Sequence, residues 1–235
     1  MFYYVYDRTY ILVVIGVLLC MLASNRVNSV FRKYDRVRSH SGMTGREAAE
    51  RILRANGIYD VQVQHVSGRL TDHYDPRNKV LRLSDSTYAS TSVAAIGVAA
   101  HECGHAVQHA VGYAPLQIRG ALVPIANFGS TLAWPLIVIG MFMNNQTAAF
   151  LINAGILLFL GAVLFQLVTL PVEFNASGRA VRALEKSGML YETEIRQTKA
   201  VLGAAALTYV ASAASMILQL LRLLLITGGR RQRDE

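Results

Sequence analysis

The sequence predicts a mostly α, multi-pass membrane protein with about four transmembrane helices and one small α+β subdomain. Three observations point there. Hydrophobic residues fill 53% of the 235 positions, too many for an ordinary soluble domain. The excess is concentrated in four stretches: Tyr10–Ala23, with a Tyr-rich lead-in from Phe2, then Ala121–Met143, Ala148–Pro171 and Ala200–Thr227. Between the first and second lies a polar segment with a capping signal, alternating apolar residues and a Pro-containing turn.

The first stretch lacks a convincing small-residue cleavage site and reads as a retained anchor, residues 1–24. The net charge of +8 is unevenly spread. Arg26, Arg32, Lys33, Arg36 and Arg38 follow the anchor, whereas Arg8 before it is offset by Asp7. The positive-inside rule then puts the N-terminus outside and residues 25–120 in the cytoplasm. This placement explains the basic charge through topology and lipid headgroups, and argues against nucleic acid as a partner. Two cysteines, Cys20 and Cys103, indicate no disulfide framework.

Val27–His40 reads as a short basic surface helix, and Ser41-Gly42-Met43 as a break. Thr44 and Glu47 have the spacing of a capping box, opening a helix that should stop at Asn56-Gly57. Val61–Val66 alternates as a strand does. Asp75-Pro76-Arg77-Asn78 fits a type I turn, and Lys79–Ser84 returns as a strand in a sheet of up to three. Lys79–Ser84 is expected at the sheet edge, where an extended peptide can pair with it. A plain structural edge guarded by Lys79 and Arg82 is the alternative.

The next segment, Ser92–Val111, contains His101-Glu102-Cys103-Gly104-His105. On a helix, residues four apart share a face, so His101 and His105 can offer two imidazole nitrogens to one Zn²⁺ ion. Glu102 lies beside that face, where a carboxylate can take a proton from water activated by the metal. The run of small residues from Val93 to Ala100 suggests a buried site. Cys103 points away and reads as a small buried hydrophobe. His109 is a group beside the ligands or substrate, or a surface histidine at the helix end.

A catalytic zinc usually takes three protein ligands. Two crossings, residues 121–171, return the chain to the cytoplasmic side at Pro171-Val172-Glu173, on the same membrane face as the two histidines. A lone carboxylate at the end of an apolar span needs a partner, which favours Glu173 as the third ligand. His73 is the main rival, and is otherwise a transition-state donor. The segment 172–199 is expected to be a helix of its own that carries this ligand, and in it Ser177 or Asn175 can hold a ligand imidazole. Arg179 can stabilise an oxyanion or meet lipid phosphate. The last segment, 200–235, ends in Arg230, Arg231 and Arg233. Four full spans place these arginines outside, against the positive-inside rule, and a half-inserted last helix resolves the conflict.

Taken together, Leu70–Pro76, Asn78–Ser84, Val98–Ala106 and Pro171–Phe174 resemble the YugP-like neutral zinc metallopeptidases of bacterial membranes. More distantly, the chain is similar to the HtpX peptidases, whose third ligand is the Glu of E-x-x-A-D. That pattern corresponds here to Glu173 through Ser177, with Ser in place of Asp. The resemblance implies a gluzincin-like zinc subdomain at the cytoplasmic face of a cell-membrane protein. It does not imply a particular substrate; a peptide or membrane protein is expected from the activity, and membrane-protein quality control from the likeness to HtpX. An intramembrane protease of the site-2 class ranks lower, because no Leu-Asp-Gly segment occurs. A non-catalytic, metal-stabilised adaptor or chaperone is the alternative outside enzymes, although a structural zinc needs no Glu102. The sequence does not specify an oligomeric state.

Overall fold

The structure, a computed structural model, describes residues 8–143 and 146–231. The lead-in from Phe2, Asp7, Asn144, Asn145 and the tail from Gln232 lie outside the described residues. Six helices and three strands follow in the order α1 (Tyr10–Asp35), α2 (Gly45–Ala55), β1 (Gln62–Val66), β2 (His73–Asp75), β3 (Val80–Ser84), α3 (Val93–Ala110), α4 (Ala114–Phe142), α5 (Gln146–Ser187) and α6 (Glu192–Arg231). Helices α1, α4, α5 and α6 are each long and apolar enough to cross a membrane.

Contacts divide the chain into two units. The first comprises Met1–Ala23, Ile118–Thr169 and Thr208–Glu235. It is held by close helix packing over small residues. A side chain at Gly155 would meet the Ala133 carbonyl at 2.7 Å, and one at Gly129 the Leu158 carbonyl at 2.4 Å, so α4 and α5 touch backbone to backbone. Ala133, Ile137, Phe159, Val163 and Leu223 fill the seam.

The second unit, Ser24–Gln117 with Leu170–Leu207, holds the sheet, α2 and α3. Its core joins Ala48, Ala49, Ile52 and Leu53 of α2, Leu81 and Leu83 of β3, Ile96, Ala99, Ala100 and Cys103 of α3, and Ala180 and Leu184 of α5. Cys103 is fully buried and its thiol donates to the Ala49 carbonyl, as its reading as a small hydrophobe requires. Burial pushes that thiol's pKa well up. The expected capping box is present: Glu47 N–H donates to the Thr44 hydroxyl, and Thr44 N–H to the Glu47 carboxylate. Asn56 caps α2 at its end, and Gly57 takes φ +72°, where glycine costs least. Asp75 closes the expected turn by accepting the N–H groups of Arg77 and Asn78.

Three expectations need correction. The basic stretch after the anchor does not start a new helix, because α1 runs unbroken to Asp35. No Gly or Pro interrupts residues 24–35, and Phe31 of this extension is buried against Ala94 and Val201. Strand β3 is not an edge. It lies in the centre, parallel to β1 and antiparallel to β2. Four of its five residues are buried, so both of its faces are covered and the edges fall to β1 and β2. Finally, residues 172–199 do not form one helix of their own. α5 passes straight through Pro171 to Ser187, then Gly188 turns the chain at φ +62° into α6. At 1.5 Å per residue, the 42 residues of α5 span roughly 63 Å, about twice an apolar bilayer core.

Where α3 meets α5 in the second unit, a side chain at Gly104 would meet the Ala176 carbonyl at 2.5 Å. Gly104→Ala should force α3 and α5 apart and cost about 1–3 kcal/mol, read as a lower unfolding midpoint. An unchanged midpoint would show that the two helices can part freely.

Candidate metal centre

Helix α3 starts at Ser92, whose hydroxyl accepts the Ala95 N–H at 3.1 Å and donates to Asp35. From that start the i,i+4 spacing aligns His101 and His105, with ring centroids 4.8 Å apart. Opposite them, α5 presents Glu173, which is 3% exposed. Its Oε2 lies 3.2 Å from His101 Nε2 and 3.5 Å from His105 Nε2. One ligand atom from each residue lies within 4.8 Å of the other two.

These spacings fit a tetrahedral ion. With bonds of about 2.0–2.1 Å, neighbouring ligand atoms of a tetrahedron stand roughly 3.3–3.4 Å apart. The hydrogen-bond pattern supplies an independent test. Asn175 Oδ1 accepts from Arg179 Nε at 2.7 Å and from Gln108 Nε2 at 3.0 Å. Gln108 Nε2 also donates to the Val172 carbonyl, which fixes the orientation of the amide. Gln108 Oε1, an acceptor, therefore faces His105 Nδ1 at 3.0 Å. Nδ1 must carry the proton, so neutral His105 points an Nε2 lone pair at the Glu173 carboxylate. Two electron-rich atoms at that distance repel unless a cation or a proton lies between them. A zinc ion satisfies this arrangement. In its place a proton would do the same, and although burial opposes a charged His105, the carboxylates of Glu173 and Glu102 raise its pKa above the usual 6.5. On the other ligand, Ser177 Oγ sits 3.0 Å from His101 Nδ1 and orients that ring.

Glu102 is 8% exposed, and its carboxylate makes no hydrogen bond among the described residues. The remaining sequence candidates separate. His73 stays on β2, exposed, with Nδ1 donating to the Thr71 carbonyl and Nε2 accepting from Arg82. Its lone pair is thus engaged, and it does not join the three-residue cluster. His109 Nδ1 pairs with the Tyr74 hydroxyl at 2.9 Å, tying the end of α3 to β2. Asn175 touches neither ligand ring; it acts through Gln108. Arg179 holds Asn175 and stacks over Tyr113 at 5.9 Å. Gln108 and Tyr74 are additions that the sequence reading missed. The signal for Gln108 was an amide three residues after a ligand histidine, on the same helical face.

Residues 9–228 match the model of a family described as "putative neutral zinc metallopeptidase". The chain belongs to this family. It is also 48% identical over 204 residues, covering 87% of this chain and 89% of the relative, to the "putative membrane protease YugP" of Bacillus subtilis (strain 168). No solved structure matches the chain.

Two outcomes are expected. Gln108→Ala frees the His105 ring and should weaken zinc binding about 10–100-fold while the protein stays folded. Because the carboxylates raise the His105 pKa, protons compete with the metal from above pH 6.5 downward. Apparent zinc affinity should fall by about tenfold per pH unit through this one site as pH drops. Chelator competition between pH 8 and 5.5 checks both, and a flat profile would show that His105 holds no ion.

Proposed function

We propose that the protein is a zinc-dependent membrane metalloendopeptidase that hydrolyses peptide bonds at the cytoplasmic membrane surface. The observation that carries this is the His105 tautomer: Gln108 forces its bare nitrogen toward Glu173, an arrangement suited to a cation. His101, His105 and Glu173 hold the zinc, and Ser177 and Gln108 keep the two rings in place. Zinc, when bound, supplies Lewis acidity to the scissile carbonyl and lowers the pKa of water toward neutrality.

The chain's own residues do the rest. Glu102 has a buried carboxylate with no hydrogen-bond donor among the described residues, so it is free to take a proton. It accepts one from the attacking water and hands it to the amine as the peptide bond breaks. Of the two edge strands, β1 and β2, it is β2 that is tied to α3 through Tyr74 and His109, so an extended peptide pairs there. Tyr74 of β2, anchored to His109, stands on that route, where its phenol can donate to the developing oxyanion.

The cytoplasmic assignment rests on Arg26, Arg32, Lys33, Arg36 and Arg38 following the apolar part of α1. The substrates are peptides or membrane proteins within reach of the bilayer, consistent with a relative named as a membrane protease. A quality-control role extends that reading.

Glu102→Gln should keep the zinc and slow cleavage of an unfolded membrane-protein substrate by about 10²–10⁴-fold. Glu173→Ala should lose both zinc and activity. Wild-type cleavage by Glu102→Gln would sink the mechanism, and zinc retained at full affinity in Glu173→Ala would remove it from the ligand set.

A further inference from the structure

A cavity of about 560 Å³ opens between α2, α3 and α5. Ala100, Gly104 and Val107 form its α3 wall. Two of these sit one position before His101 and His105, about 100° around the helix, so the cavity opens on a different flank of α3 from the ligand face. Its charge is one-sided. Arg51 of α2 and Arg179, Arg182 and Lys186 of α5 line it, and no carboxylate does.

Nearby acids are engaged elsewhere. Glu50 bridges Arg46 and Arg54 along α2, and Glu185 takes Lys199. Arg51 reaches the Met43 sulfur at 4.0 Å, and Arg182 and Lys186 form no ion pair among the described residues. Arg179 donates Nε to Asn175, which leaves its two Nη groups for a ligand. The three cations of α5 are spaced three and four apart, where like charges repel on a helix. Holding a fourth against them is unfavourable without a counter-ion.

We propose that this cavity is a phosphate-binding site, taking a phosphate group from a soluble compound or from a lipid headgroup. A carboxylate would offset one charge of four. A phosphate carries nearly two and presents three strong acceptor oxygens, which match guanidinium forks bidentately. The volume lies within the usual range for small-ligand sites. The site is separate from the metal ligands, yet Arg179 belongs to both the cavity and the hydrogen-bond chain that ends at His105.

The test uses the full chain in dodecylmaltoside, with inorganic phosphate as probe, followed by ³¹P NMR. Both metal-loaded and chelator-treated protein are titrated, so that phosphate bound directly to zinc is told apart from the cavity. Saturable binding that survives chelation and weakens at least tenfold in R182A/K186A is expected. Arg196→Ala, on an exposed pair with Glu192, should bind as wild type does. Lys186→Gln alone, at the end of α5, should weaken binding several-fold and covers the case in which the double variant does not fold. Absence of binding, loss of binding on chelation, or wild-type affinity in both Lys186→Gln and R182A/K186A overturns the proposal. To find the source of the phosphate, the titration is repeated in nanodiscs. Competition by phosphatidic acid, but not by phosphatidylcholine, identifies a lipid headgroup; equal binding in both identifies a soluble ligand.

Discussion

The second unit turns on a single repulsion that has to be relieved. Glu173 places a carboxylate oxygen between two imidazole nitrogens, at 3.2 and 3.5 Å, almost wholly out of water. A buried carboxylate is costly by itself. Here the nearest nitrogens face it, and one of them has been stripped of its proton by Gln108. The cluster is therefore relieved by a positive charge between these atoms, a metal ion or a proton on His105. On the proposed function, zinc binding would add to the folding stability of this unit.

The supporting structure serves that geometry. Gly104 lets α3 approach the α5 backbone at Ala176, between Glu173 and Ser177. One close contact thereby sets the spacing of Glu173 and of Ser177 against the two histidines. The amide chain from Arg179 through Asn175 and Gln108 fixes the other ring. Small residues that fill a core poorly are tolerated in α3 because proximity, rather than bulk, is what the site requires.

Local features were legible in the sequence. The i,i+4 histidines, the capping box at Thr44, the stop at Gly57 and the turn at Asp75 each depend on residues within one or two turns of each other. Glu173 was singled out because a carboxylate at the end of an apolar run is too costly to leave without a partner, and it lies beside the two histidines. The features that were missed depend on distant partners. Gln108 acquires its meaning from Val172 and Asn175, which are 64 and 67 residues away. The central place of β3 follows from parallel pairing with β1, and no local alternation encodes strand order. Pro171 suggested a boundary, but its ring sits within α5, where tertiary contacts outweigh the lost backbone hydrogen bond.

The separation of the ligands along the chain has a temporal consequence. His101 and Glu173 are 72 residues apart. At ordinary translation speeds the ribosome needs roughly 4–14 s to cover that interval. During this time the two histidines and Glu102 exist without their third partner, while α4 and the first part of α5 are still entering the bilayer. On the proposed function, an open two-histidine site would hold zinc weakly, so the nascent chain would be born inert. Hydrolytic competence would then arrive only once α5 has been laid down through Glu173, and a truncated or misinserted copy would never acquire it. The order of synthesis would thus do for such a peptidase what a removable pro-segment does for secreted proteases.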